Sequence, residues 1–133
     1  MGHEIIVYRD RHLVINDLDF WAIRHFILIE AEKSASLEIA TFLRGWEWIG
    51  PGVYVGVEFD YFFNGHSQRE ESFAILLSAA RIRIESFGEA VPLDYIEKNI
   101  NLPGFRFTSA QPTHHWVRQI EEISEILAPS III

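Results

Sequence analysis

The chain has 133 residues, room for one domain spanning 1–133, and 49% of them are apolar, which argues for a packed core and against disorder. Its 19 acidic and 11 basic residues leave a formal charge of −8, which repels phosphate backbones and speaks against nucleic-acid binding. Cysteine is absent, which excludes a disulfide frame, a thiolate nucleophile and zinc–sulfur sites. No uncharged apolar run approaches the ~20 residues of a membrane helix. The N-terminus carries no basic region followed by an apolar one, so a cytoplasmic location and no membrane partner are the expectation.

In chain order, Ile5–Tyr8 and Leu13–Ile15 are β-prone runs, with Arg9–His12 between them as a hairpin connection. Asn16 or Asp17 is suited to cap a following helix. From Leu18 to Lys33 the apolar residues spread around the whole helical circumference. This predicts a helix buried on most sides or, for residues 23–30, a strand; length and the capping residue favour the helix. Ser36 is placed to cap the next helix, whose core face is Ile39, Phe42, Leu43 and Trp46, and Gly50-Pro51-Gly52 stops it.

Val53, Val55, Val57, Phe59 and Tyr61 then alternate with Tyr54, Gly56, Glu58 and Asp60, predicting a strand over 53–63. Asn64-Gly65 ends it. Ser67-Gln68-Arg69-Glu70 reads as a capping box for a helix with the core stripe Phe73, Leu76, Leu77, Ala80, Ile84 and Phe87, stopped by Gly88. Ile75 and Ile82 fall off that stripe, so this helix is expected to be central. Pro92 opens a short helix through Asn99. Asn101–Gly104 reads as a turn and Phe105–Phe107 as an edge strand. Thr113 caps a last helix with Trp116, Ile120, Ile123 and Leu127 inward, ended by Pro129. Together these elements predict an α+β fold, helices packed on a small, mostly antiparallel sheet. The closing Ile131–Ile133 needs cover, either on the body of the domain or against a second copy in a homodimer.

Candidate chemistry is sparse. Glu58 and Asp60, on one face of the expected strand, would leave the backbone roughly 7 Å apart, a spacing that suits a cation, an acid–base pair or the cationic side chains of a partner. The plainer reading is a solvated sheet face. In Gly45-Trp46-Glu47-Trp48 a carboxylate lies between two indoles, but residues i and i+2 of a helix do not face each other, and core packing explains the cluster more simply. His114 and His115 point about 100° apart on a helix and make poor joint ligands, so no metal or cofactor is expected. His66 reaches Glu58 and Asp60 only if the chain folds back. Phosphate-binding, dinucleotide and serine-nucleophile glycine motifs are all missing from the sequence.

The run Trp46-Glu47-Trp48-Ile49-Gly50-Pro51-Gly52-Val53-Tyr54, the acidic Glu58-Phe59-Asp60, and Phe87-Gly88-Glu89 leading into Pro92-Leu93-Asp94-Tyr95 resemble the immunity proteins of bacterial polymorphic-toxin and contact-dependent inhibition systems. The resemblance implies a non-enzymatic cytoplasmic protein that neutralises a toxin domain, often a basic nuclease, by tight binding. On this reading the contacts are Tyr54, Glu58 and Asp60, with Glu47 and Trp48 nearby. The alternative is a small hydrolase or lyase that uses Glu58 and Asp60, with His66 as a helper.

Overall fold

The computed structural model describes residues 3–45, 47–50, 53–55, 58–100 and 106–127, without the side chains of residues 3–5, 17, 47–50 and 53–55. Strands β1 (His3–Tyr8) and β2 (Arg11–Asn16) form an antiparallel hairpin in which Tyr8 opposes Arg11. Its alternation is clean. Ile6, Tyr8 and Ile15 are buried, while Val7 and Val14 are about half exposed, at 50% and 54%. Arg9 and Asp10 alone make the turn, with Arg9 at φ 57, a left-handed conformation that a residue with a Cβ adopts only under some strain.

Asn16 caps helix α1 (Asp17–Lys33), its side-chain oxygen accepting from the Leu18 amide at 2.9 Å. Helix wins over strand for this stretch because its apolar side chains have neighbours on most sides. Phe20, Ala22, Ile23, Phe26, Ile27 and Ala31 are all buried, and α1 packs against other helices as well as the hairpin. Each fully buried large apolar side chain contributes about 1.5–3 kcal/mol, far more than any difference in local propensity.

Helix α2 (Leu37–Arg44) buries Ile39, Ala40 and Leu43. It is shorter than the sequence suggests. Residues Glu47–Gly50 are strand β3, paired antiparallel with β4 (Val53–Val55), so Glu47 and Trp48 lie on a strand and Trp46 lies outside the described residues.

The expected strand over 53–63 is corrected in its second half, where Phe59–Phe63 is a helical turn, α3. Phe62 and Phe63 are adjacent and both apolar, which breaks a period of two. Phe59, Phe62 and Phe63 instead repeat at i, i+3 and i+4, and winding them as a helix turns all three toward the core and Tyr61 away.

Helix α4 (Ser67–Glu85) buries the expected Phe73, Leu76, Leu77, Ala80 and Ile84. Its capping box does not form. His66 holds the N-cap position, no side chain bonds the cap, and the Glu70 carboxylate is engaged elsewhere. Nor is α4 central, because Ile75 and Ile82 are 69% and 68% exposed; α1 takes that place.

Strand β5 (Ala90–Val91) leads to helix α5 (Leu93–Asn99), opened by Pro92 as expected. Arg106 and Phe107 are not strand, whereas Gln111–Pro112 forms β6 against β5. Helix α6 (Thr113–Leu127) buries Trp116, Ile120, Ile123 and Leu127. Thr113 does not cap it; the buried hydroxyl donates to the Gly88 carbonyl at 2.7 Å and ties the helix start to the end of α4.

The fold is α+β, with three antiparallel two-stranded ladders among the described residues rather than one sheet. The helices pack chiefly on one another: α1 contacts α2, α4 and α6, and α4 contacts α6. None of the described helices is long and apolar enough to cross a membrane. The turn expected at 101–104 and the run Ile131–Ile133 lie outside the described residues.

Candidate functional site

An aromatic cluster joins α2, α3 and α4. Phe42 stacks on Phe62 with centroids 4.1 Å apart, and Phe59 and Phe63 meet Phe73 edge-on or tilted at 5.9 and 4.8 Å. Arg69 of α4 reaches over Phe62, 4.3 Å from its centroid, donates to the Phe62 carbonyl at 2.9 Å and pairs with Glu38. Above this floor lies an open groove of about 630 Å³ lined by Leu37, Thr41, Phe42, Glu58, Tyr61 and Phe62, among others.

Three residues on the rim face solvent. Tyr61 is 86% exposed and Leu37 64%. The Glu58 carboxylate is exposed and has no hydrogen bond or ion pair among the described residues.

Glu58 and Asp60 do not share a strand face. Glu58 is the N-cap residue of α3, and Asp60 lies in its first turn. Asp60 is half-buried, and one oxygen accepts from the Arg9 amide at 2.6 Å and from the Asn64 side chain at 3.4 Å. It therefore braces the strained hairpin turn. His66 is exposed and lines a neighbouring groove with Ser36 and Ser67, so the structure does not gather it with Glu58 and Asp60. Glu47, Trp48 and Tyr54 sit on the β3–β4 hairpin, where Trp48 and Tyr54 are Cα partners; their side chains lie outside the described parts.

Three polar clusters escaped the sequence reading. Beneath the first hairpin, the buried Tyr8 hydroxyl donates to Glu70, which Arg9 also approaches at 3.4 Å. Burial and then the Glu70 carboxylate push the Tyr8 phenol up to about 12. Between α1 and α6, Asp19 accepts from the Trp116 indole at 3.1 Å and the Gln119 amide at 3.4 Å, and it meets His115 at 3.1 Å.

The third cluster joins α1 to α5, where His25 shares a hydrogen bond with Tyr95 at 3.0 Å. Burial, then the charges of Arg24 and Arg83, lower His25 to about 4. Arg24 itself is lowered to about 10 by burial and by Arg44; it donates to the Leu43 carbonyl at 2.7 Å and lies 4.6 Å over the Trp21 ring. No sequence spacing signals these clusters, since each joins residues far apart in the chain. Among the described residues, no group of His, Asp and Glu could hold a metal ion.

Comparison of the chain with protein-family models, curated proteins and solved structures gives no match.

Proposed function

We propose that this chain is a non-enzymatic protein-binding domain that neutralises a cationic toxin domain, in the manner of the immunity proteins its sequence resembles. The α2–α3 groove is its docking surface. One observation carries the reading: an exposed Tyr61 stands beside an exposed Glu58, neither side chain partnered among the described residues, over a floor of stacked phenylalanines. Aromatic anchors in such settings dominate affinity, while acids on the rim set encounter rate and register. The occupant this chemistry fits is a lysine- or arginine-bearing segment. Its aliphatic stem would lie on Tyr61 and its head would meet Glu58. The overall charge of −8 steers such a partner in from a distance. Glu47, Trp48 and Tyr54 belong to the same proposal through the β3–β4 hairpin, and a cytoplasmic location goes with it.

The test begins with the neighbouring genes, where the reading expects one that encodes a toxin domain, and uses that domain. Co-expression is expected to protect cells, and the purified proteins to form a complex whose association rate falls with salt. Tyr61→Ala and Glu58→Lys are each expected to weaken that complex at least about tenfold. A toxin domain that neither binds nor is neutralised would end the proposal. Binding untouched by both substitutions would move the docking surface elsewhere.

A further inference from the structure

Asn64 and Gly65 link α3 to α4, and both are exposed. Asn64, at φ −65 and ψ 124, and Gly65, at φ 83, are the central residues of a type II turn. The His66 amide closes that turn on the Phe63 carbonyl at 2.9 Å. The Gly65 amide has no partner among the described residues, and a Cβ built on Gly65 would meet nothing within 4 Å beyond its chain neighbours. A backbone nitrogen that is solvated, unbonded and flanked by no side chain of its own is well placed to swing onto the Asn64 side-chain carbonyl. The other asparagines, Asn16, Asn99 and Asn101, precede Asp17, Ile100 and Leu102, whose side chains obstruct that approach. Asn16 and Asn99 are also tethered, to the Leu18 amide and the Tyr95 carbonyl, each at 2.9 Å.

We propose that Asn64 is a site of spontaneous deamidation, with the Gly65 nitrogen and water as its reactants. Base removes the Gly65 amide proton, and the nitrogen's electron pair attacks the Asn64 Cγ. The bond from Cγ to Nδ2 breaks, and the side-chain nitrogen takes up a proton and leaves as ammonia. Water then adds to either carbonyl of the resulting succinimide ring and breaks that carbonyl's bond to the ring nitrogen. Opening at Cγ yields aspartate. Opening at the main-chain carbonyl yields isoaspartate, in which the backbone runs through Cβ and is longer by one methylene.

Tertiary neighbours give the reaction a consequence. Asn64 Nδ2 donates to Asp60 Oδ1 at 3.4 Å, and the same oxygen accepts from the Arg9 amide at 2.6 Å. Deamidation replaces that donor with a carboxylate and sets two negative charges side by side where α3 braces the first hairpin. The brace loosens, whatever the α2–α3 groove binds.

The test holds the full chain in mildly alkaline buffer and follows it by peptide mass mapping. The mass gain of an amide-to-acid exchange is expected at Asn64 at least about tenfold faster than at Asn16, Asn99 or Asn101. Enzymatic methylation should detect isoaspartate at the same position. Asn64→Gln, whose longer side chain closes a ring far less readily, should stay unmodified with the circular dichroism spectrum of the natural chain. Asn64→Asp, the direct product, is expected to melt roughly 1–4 °C lower than the natural chain. An Asn64 still amidated when an unfolded peptide of residues 61–69 has converted would overturn the proposal. So would equal rates at the other asparagines. An unchanged melting temperature in Asn64→Asp would overturn the loosening of the brace.

Discussion

Two tyrosine–glutamate neighbourhoods in this molecule use the same side chains in opposite ways. Tyr8 is fully buried, its hydroxyl bonded to Glu70, with Arg9 closing the cluster. Tyr61 is 86% exposed beside Glu58, and neither has a partner among the described residues. In the first, the phenol and the carboxylate satisfy each other out of water, and the pair fastens the hairpin to α4. In the second, water solvates both groups, so they contribute little to folding and lose little by meeting another molecule. Residue type does not separate the two cases. What separates them is whether the neighbouring elements close over the pair, and that difference divides a structural lock from a pair left open to solvent.

The lock should break loudly. Tyr8→Ala empties a fully buried aromatic position and leaves the largely buried Glu70 without its hydroxyl donor, an expected loss of about 3–5 kcal/mol in urea unfolding. Tyr8→Phe keeps the ring and removes only the donor, for about 1–3 kcal/mol. Losses below about 1 kcal/mol in both would mean the cluster fastens nothing, and the contrast with Tyr61 would collapse.

A smaller effect is expected from acid, through His25. Its folded pKa is lowered to about 4 from 6.5, so between those values the unfolded chain binds more protons. Stability from this group is therefore fully present above about pH 6.5 and is lost as pH falls toward 4. One pKa unit corresponds to about 1.4 kcal/mol. Because the ring is only partly buried, solvent screening reduces the whole shift to about 1–2 kcal/mol. Comparing the pH dependence of unfolding in His25→Phe and in the natural chain isolates this term from carboxylate titration. Identical slopes between pH 4 and 6.5 would remove His25 as its source.

The smallest effect on stability belongs to the open pair. Tyr61→Ala and Glu58→Gln should each change unfolding free energy by no more than about 0.5 kcal/mol. A marked loss at either position would show that the groove is part of the folding core after all.

Local pattern alone determined much of the architecture. The alternation of residues 5–8 and 13–15 marked the first hairpin, Asn16 or Asp17 marked the start of α1, with Asn16 the one that caps it, and the stripe from Phe73 to Ile84 marked the buried face of α4. Pro92 marked the start of α5 because its fixed φ suits a helix opening. These signals survive because each depends on neighbours a few residues away.

Tertiary structure decided the rest. Val53–Phe63 carries two periods at once, alternation through Tyr61 and helical spacing from Phe59, and only the aromatic cluster waiting on α2 and α4 selects the helix for its second half. The capping box of α4 was a sound local option, but Tyr8 and Arg9, distant in sequence, claimed the Glu70 carboxylate. Thr113 likewise bonds Gly88 rather than its own helix. The role of Asp60 changed for the same reason: a strand would have paired it with Glu58, whereas the helical turn places it against the Arg9 amide and leaves Glu58 and Tyr61 facing outward. Periodicity reports which side of an element is apolar, but which polar side chain finds a partner depends on distances between elements, and those exist only once the chain has folded.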